Sequence, residues 1–279
     1  MKRSALALLV MSLMVIIAGC AQSDGRRWTP LQLAATPSIQ MAPPSWDVYG
    51  VHLDVLGCEN HDVIGVGAGL STAAHRMDGV HVGIWELRAW RALGIQVSGL
   101  GNGATAETNG LQLAGLFNGA PAMGVEDESV ADAHGDVPGP GFMRGAQAAG
   151  IYNWSRRAYG LQVAGIFNVV TGEMRGLQVA LFNGTSGPAL KEPAVVVSGL
   201  QVGGLGNGGK GALVQGLQVG GLFNRATRGM RGVQIGALHN KARHLSGVQI
   251  GLLNFNEGGW LPFCPLINIG FGGGEAEED

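Results

Sequence analysis

Seven histidines, three cysteines and one dense acidic stretch are the residues of this 279-residue chain best suited to chemistry. His52, His61, His75, His81, His134, His239 and His244 include no HExxH pair able to hold zinc from one helix face, and no CxxC pair offers a thiolate site. No GxSxG elbow presents a nucleophilic serine. Gly206-Asn207-Gly208-Gly209-Lys210-Gly211 lacks the spacing of a phosphate-binding loop and reads as a flexible turn. Glu126, Asp127, Glu128, Asp132, His134 and Asp136 crowd into residues 119–144, but without the alternating carboxylates and closing glutamate of an EF-hand loop they read as a solvated excursion. No catalytic, cofactor-binding or metal-ligating residue follows from these patterns, no cofactor is implied, and the chain reads as a non-enzyme. An enzyme centred on the 119–144 loop is the weaker reading.

The cysteines point elsewhere. Lys2 and Arg3 open the chain, residues 5–17 are an apolar run too short for a stable membrane span, and Ala18-Gly19-Cys20 ends it with small residues and a thiol. Ile17-Ala18-Gly19-Cys20 resembles the bacterial lipobox, in which the cysteine becomes the lipid-bearing first residue. Ala21, standing where an inner-membrane protein of that kind carries Asp, implies by the same resemblance sorting to the outer membrane. Residues 1–19 are then a lipoprotein signal peptide and Cys20 the lipidation site. Cys58 and Cys264 remain, one early in the mature chain and one close to its C-terminus, and an exported protein often pairs two such thiols if the fold brings them together.

Composition limits the partners. Removing Lys2 and Arg3 with the leader leaves 16 basic against 20 acidic residues, which provides no basic footprint for nucleic acid. Charged residues are only 14% of the chain while 49 residues are glycine, an unusual balance for an ordinary enzyme. Glycine does not fall at every third position, so collagen is excluded, and 46% apolar residues argue against general disorder.

The elements that must position everything are copies of one phrase. Gly216-Leu217-Gln218-Val219-Gly220-Gly221-Leu222-Phe223-Asn224 is followed at Gly232 by GVQIGALHN, and related units start at Gly94, Gly110, Gly145, Gly160, Gly176, Gly199 and Gly247. Units are 15 to 17 residues apart except where 119–144 and 184–197 intervene. Looser copies stand at Gly50, Gly65 and Gly79. A short fixed period is the signature of a stacked architecture. Within a unit the apolar residues alternate with glutamine, as in a short strand with one apolar face inward, so the glutamines, and with them His52 and His81, are expected at outward positions. Met77, Met174, Val197, Val214, Met230 and Leu245 stand two residues before a unit glycine, on the glutamine face of a straight strand, which predicts a bend at that glycine. The unit at Gly176 lacks one residue, which a corner or bulge absorbs.

Two bends per period predict an all-β repeat solenoid of about 15–16-residue coils, with nine glutamines (96, 112, 147, 162, 178, 201, 218, 234 and 249) and nine asparagines (102, 118, 153, 168, 183, 207, 224, 240 and 254) stacked into amide ladders. The alternative is a closed antiparallel β-barrel or meander with one strand per repeat. It would insert in an outer membrane with Leu, Val and Phe facing lipid, and only such closure would bring Cys58 and Cys264 into bonding range. Residues 20–46, with four prolines and no sustained period, read as a tether, residues 47–268 as the repeat domain, and residues 269–279 as a flexible acidic tail. Trp260-Leu261-Pro262-Phe263-Cys264-Pro265, with two prolines in an apolar run, predicts a terminating cap.

The phrases GVQIGALHN and GVQIGLLN, the lipobox and the closing GGWLPFCPLIN resemble a bacterial family of surface-repeat lipoproteins built from GVQIGLxN-type units. The resemblance covers about residues 50 to 268 and implies an envelope location but no catalytic residues. The expected function is a lipid-anchored cell-envelope repeat protein with a structural or surface-binding role, at the bacterial outer membrane or cell surface or facing the periplasm. Its partners would be the membrane, through the N-terminal lipid, and an envelope or extracellular protein or glycan. The barrel alternative implies a pore or transport accessory.

Overall fold

The computed structural model describes residues 22–23, 26–119, 141–186 and 195–271. Every regular element among them is a β-strand, and repeat stacks on repeat in parallel and in register. Gly199, Gly216, Gly232 and Gly247 are aligned, as are Gln201, Gln218, Gln234 and Gln249, and Asn207, Asn224, Asn240 and Asn254. The chain is a β-solenoid of about twelve coils of about 16 residues. Consecutive repeats run in the same direction, so the closed antiparallel barrel is overturned.

One coil shows the construction. The strand Ala212–Gly220 is followed by a corner at 221–222, the short strand Phe223–Ala226, a second corner at 227–228, and Gly229–Gly236 of the next coil. The interior divides in two. Met143, Ala158, Met174, Val197, Val214, Met230 and Leu245, stacked in one column and opposed by Ala226 and Ala242, form a buried apolar spine along one half. Full burial of each such aliphatic contributes about 1.5–3 kcal/mol. The other half is filled by the glutamines and asparagines, nearly all fully buried.

That burial reverses the expected facing of the strand. Gln218 and Gln234 point inward and the flanking Val and Leu residues outward, so His52 and His81, which share the glutamine column, are interior as well. The glycine does bend the backbone, but it leaves Met230 and Gln234 on the same inward side. Amides tolerate this because in-register stacking gives each one inside a ladder a hydrogen-bonding partner above and below, which removes the cost of burying a lone polar group.

The unit glycines from Gly50 to Gly247 all have φ between +104° and +145°. A Cβ built on Gly216 would lie 2.2 Å from the carbonyl oxygen of Gly199, and the same clash recurs along the column. Glycine is required there by both conformation and space. The one-residue deletion in the Gly176 unit is absorbed by a register shift between Ala180 and Phe182, so Gln178 and Asn183 keep their places opposite Gln201 and Asn207.

Four boundaries move, one of them the end of the 119–144 insertion, because Phe142, Met143 and Arg144 pair with Glu107, Thr108 and Asn109. Arg26–Thr36 is a strand in the segment read as tether, and it lies parallel to Asp47–Asp54 with Gln32 opposite His52. Pro30 stands where later coils have glycine, and Leu31-Gln32-Leu33 is the repeat phrase itself. The 184–197 insertion shrinks, because Thr185 and Ser186 pair with Gly209 and Lys210, and Val195 with Ala212. At the other end, Phe263–Phe271 reverses direction and pairs antiparallel with Leu245–Asn256, extending the folded body three residues into the segment read as tail.

Candidate functional site

Chemistry-bearing side chains gather in the first coils. His52 and His81 are buried two coils apart in the glutamine column, with Gly67 between them. A Cβ on Gly67 would lie 2.5 Å from His81 Nδ1 and 3.1 Å from His52 Nδ1, so only glycine leaves room for two imidazoles. Burial pushes both rings below the ordinary histidine value; the Asp54 carboxylate, 3.7 Å from His52 Nε2, opposes this at His52, and the backbone carbonyl of Asp78, 3.0 Å from His81 Nε2, does so at His81. Asp54 is itself enclosed and accepts hydrogen bonds from Leu70 N, Ser71 N and Thr72 Oγ1.

A second group lies on the outside of the same coils. His61 stacks on His75 with ring centroids 5.0 Å apart, and His75 on Trp90 at 6.3 Å. His61 Nδ1 lies 2.9 Å from Asp62 Oδ1 and 3.4 Å from Asp47 Oδ1, and His75 Nδ1 lies 3.8 Å from Asp62 Oδ1. Motif spacing along the chain does not reveal this constellation, because His61 and His75 are separated by one coil rather than by a helical turn. Counting back four residues from Gly65 and Gly79 would have found them.

The remaining surface is apolar over much of its length. Val51, Val66 and Ile95 follow the unit glycines in one exposed column, Leu113, Val163, Ile235 and Ile250 form a second across the glutamine, and Leu222, Leu238 and Leu252 line a corner. Beside them aromatic rings stack from coil to coil, Phe117 on Tyr152 at 5.7 Å and Phe167 on Phe182 at 5.5 Å. In-register stacking makes the corner residues a continuous apolar stripe, with Leu116, Ile151, Ile166 and Leu181 preceding Leu222.

The cysteines do not meet. Cys58 and Cys264 are free thiols in the first coils and the cap respectively, as the solenoid requires. Cys58 is buried and its thiol is pushed up to about 11 by that burial, while Cys264 is partly exposed. In the native protein at mildly alkaline pH, iodoacetamide is therefore expected to modify Cys264 and spare Cys58, both reacting once the chain is denatured. Peptide mass spectrometry checks this, and a Cys58 to Cys264 disulfide in the non-reduced protein would contradict it. Cys20 and the acidic cluster from Glu126 to Asp136 lie outside the described residues.

No family model, curated protein or solved structure matches the chain.

Proposed function

We propose that the chain is a lipid-anchored protein of the bacterial cell envelope, held at the outer membrane or cell surface through Cys20, whose rod serves as a non-catalytic structural and binding surface. The observation that carries this reading is the set of apolar stripes. An exposed apolar surface continuous over many coils exceeds what soluble monomers usually show and marks contact with a partner. Its aliphatic chemistry suits an envelope or extracellular protein better than a glycan, and the surface-repeat lipoproteins that the sequence resembles point to the same location.

The position of the first coil adds a constraint. The first strand of the solenoid begins at Arg26, so five residues stand between it and a lipid on Cys20. At roughly 3.3–3.6 Å per extended residue, the first coil would lie at most about 22 Å from the lipid, where a tether running to residue 46 would have reached roughly 90 Å. The rod then sits on the membrane rather than trailing from it.

Expression in a Gram-negative host with radiolabelled palmitate tests the anchor. Wild-type protein is expected to be labelled and to fractionate with membranes, and Cys20→Ser to be unlabelled and released into the soluble fraction. Unlabelled wild-type protein, or a Cys20→Ser variant that stays in the membrane through a high-salt wash, would overturn the reading.

A further inference from the structure

The register that pairs Val48 with Val63 sets Asp47 beside Asp62 in the preceding position. Like charges placed opposite each other on paired strands repel, and these two carboxylates are only 8% and 16% exposed. The adjoining column holds His61 and His75, whose rings stack face to face, with His75 stacked in turn on Trp90, so a turn of one ring about its side-chain bonds brings both Nδ1 atoms to face one point. Parallel stacking thus sets two carboxylates and two imidazoles in a staggered row over three coils, Asp47 in the first, His61 and Asp62 in the second and His75 in the third. Arg76, which takes the place of Asp62 one coil further on, directs its guanidinium to Asp78 and is also attracted by the Asp62 carboxylate.

The donor atoms of His61, Asp62 and His75 all lie within 4.8 Å of one another, and the closest separations are 2.9 Å and 3.8 Å. A tetrahedral ion with ligand bonds of 2.0–2.2 Å sets its donors about 3.3–3.6 Å apart, within the range already present. We propose that His61, Asp62 and His75 form a binding site for a divalent transition-metal ion of the zinc class, with Asp47, whose Oδ1 faces the same nitrogen of His61, supplying the second negative charge. Two imidazole nitrogens favour such an ion over calcium or magnesium, which take oxygen donors. The ion neutralises the stacked carboxylates, clamps two successive coils together, and enters from solvent on the side where His75 is 54% exposed. The site does not depend on lipid anchoring.

The test is calorimetric titration of the full chain with zinc chloride in detergent, with a parallel cobalt titration followed by visible absorption. One equivalent is expected, with a tetrahedral cobalt spectrum lacking a thiolate charge-transfer band. Loss of an outer-shell partner already weakens metal sites about 10–100-fold, so His61→Ala and His75→Ala are each expected to weaken binding at least tenfold. Asp47→Asn should weaken it by about tenfold, and the His239→Ala/His244→Ala double variant should leave it unchanged. His75→Phe keeps a ring stacked on Trp90 while removing the ligand, so its loss of binding separates ligation from folding. Absence of a stoichiometric site, binding that survives His75→Phe, or a thiolate band assigning the ion to Cys58 or Cys264 would overturn the proposal.

Discussion

Gly232→Ala is expected to remove most of the stability of the array, lowering the thermal midpoint by more than about 10 °C. The added Cβ would sit 2.1 Å from the carbonyl oxygen of Gly216 and 3.0 Å from its carbon, at a φ of +129°. A carbon cannot remain that close to an oxygen, so the two coils must part by about an ångström or the strand must change conformation. Backbone strain of this kind costs about 1–3 kcal/mol, and each ladder hydrogen bond stretched beyond use adds about 1 kcal/mol. Gly232 is also the floor for Gly247, whose own missing Cβ would lie 1.9 Å from the Gly232 oxygen, so a displacement passes to the next coil. A loss of at least about 4 kcal/mol is large against the 5–15 kcal/mol that stabilises a typical protein.

Gly184→Ala is the control. Its Cβ would meet nothing nearer than 3.8 Å, and the backbone is not in the left-handed region. Alanine there restricts the unfolded chain and is expected to be neutral or to stabilise by up to about 1 kcal/mol. Urea and thermal unfolding followed by circular dichroism compare the two. Equal effects from both substitutions would show that the glycine column is not what sets coil spacing.

The architecture was legible because twelve coils repeat the same solution, and in-register stacking needs identical residues at identical places. Facing was harder to read. An alternation of Val with Gln fits either face of a strand, and the usual preference for apolar residues inside decides wrongly here because a stacked amide finds its partners in neighbouring coils. Interior Met230 on the same parity as Gln234 was the available clue. The first coil escaped detection because Pro30 replaces its glycine and the neighbouring prolines suggested a tether. Proline fits at that end, where the strand is an edge and its register with the next coil shifts between Thr29 and Leu31. The site in the early coils escaped for a different reason: its ligand types are ordinary, and only the coil period turns a fourteen-residue separation between His61 and His75 into ring contact.

The two amide ladders have a property that residue identities alone do not specify. Gln112 donates to Gln96, and each later glutamine donates through Nε2 to the one before it, as far as Gln249 to Gln234. The asparagines run the other way, from Asn102 donating to Asn118 up to Asn240 donating to Asn254. Their dipoles therefore oppose and largely cancel along the rod. Each ladder ends on an unpartnered acceptor, Gln249 Oε1 near the C-terminal end of the rod and Asn102 Oδ1 in the fifth coil from the other end, while the donor ends are met by Met77 Sδ and the carbonyl of Cys264.

Asn224→Asp, which preserves shape and removes hydrogens, is expected to cost at least about 3 kcal/mol at neutral pH. Asn224 Oδ1 accepts from Asn207 at 2.8 Å, and Nδ2 donates to Asn240 Oδ1 at 2.9 Å and to the Ile235 carbonyl at 2.8 Å. A carboxylate keeps the first contact but sets negative charge against two buried oxygens, each of which also loses its donor, at about 1–3 kcal/mol apiece. Burial and those oxygens must raise the folded-state pKa of the new side chain above its unfolded value of about 3.9. The neutral acid can donate one hydrogen bond, so the stability it recovers is fully present below pH of about 3.9 and is lost as pH rises through the raised folded value. The difference in urea midpoint between wild type and Asn224→Asp should consequently narrow in acid and widen toward neutrality, while Gln215→Glu, on the outward side of a neighbouring strand, should show little difference at either pH. A pH-independent difference would mean that the asparagines fill space in the rod without the hydrogen-bonded chain being what holds successive coils in register.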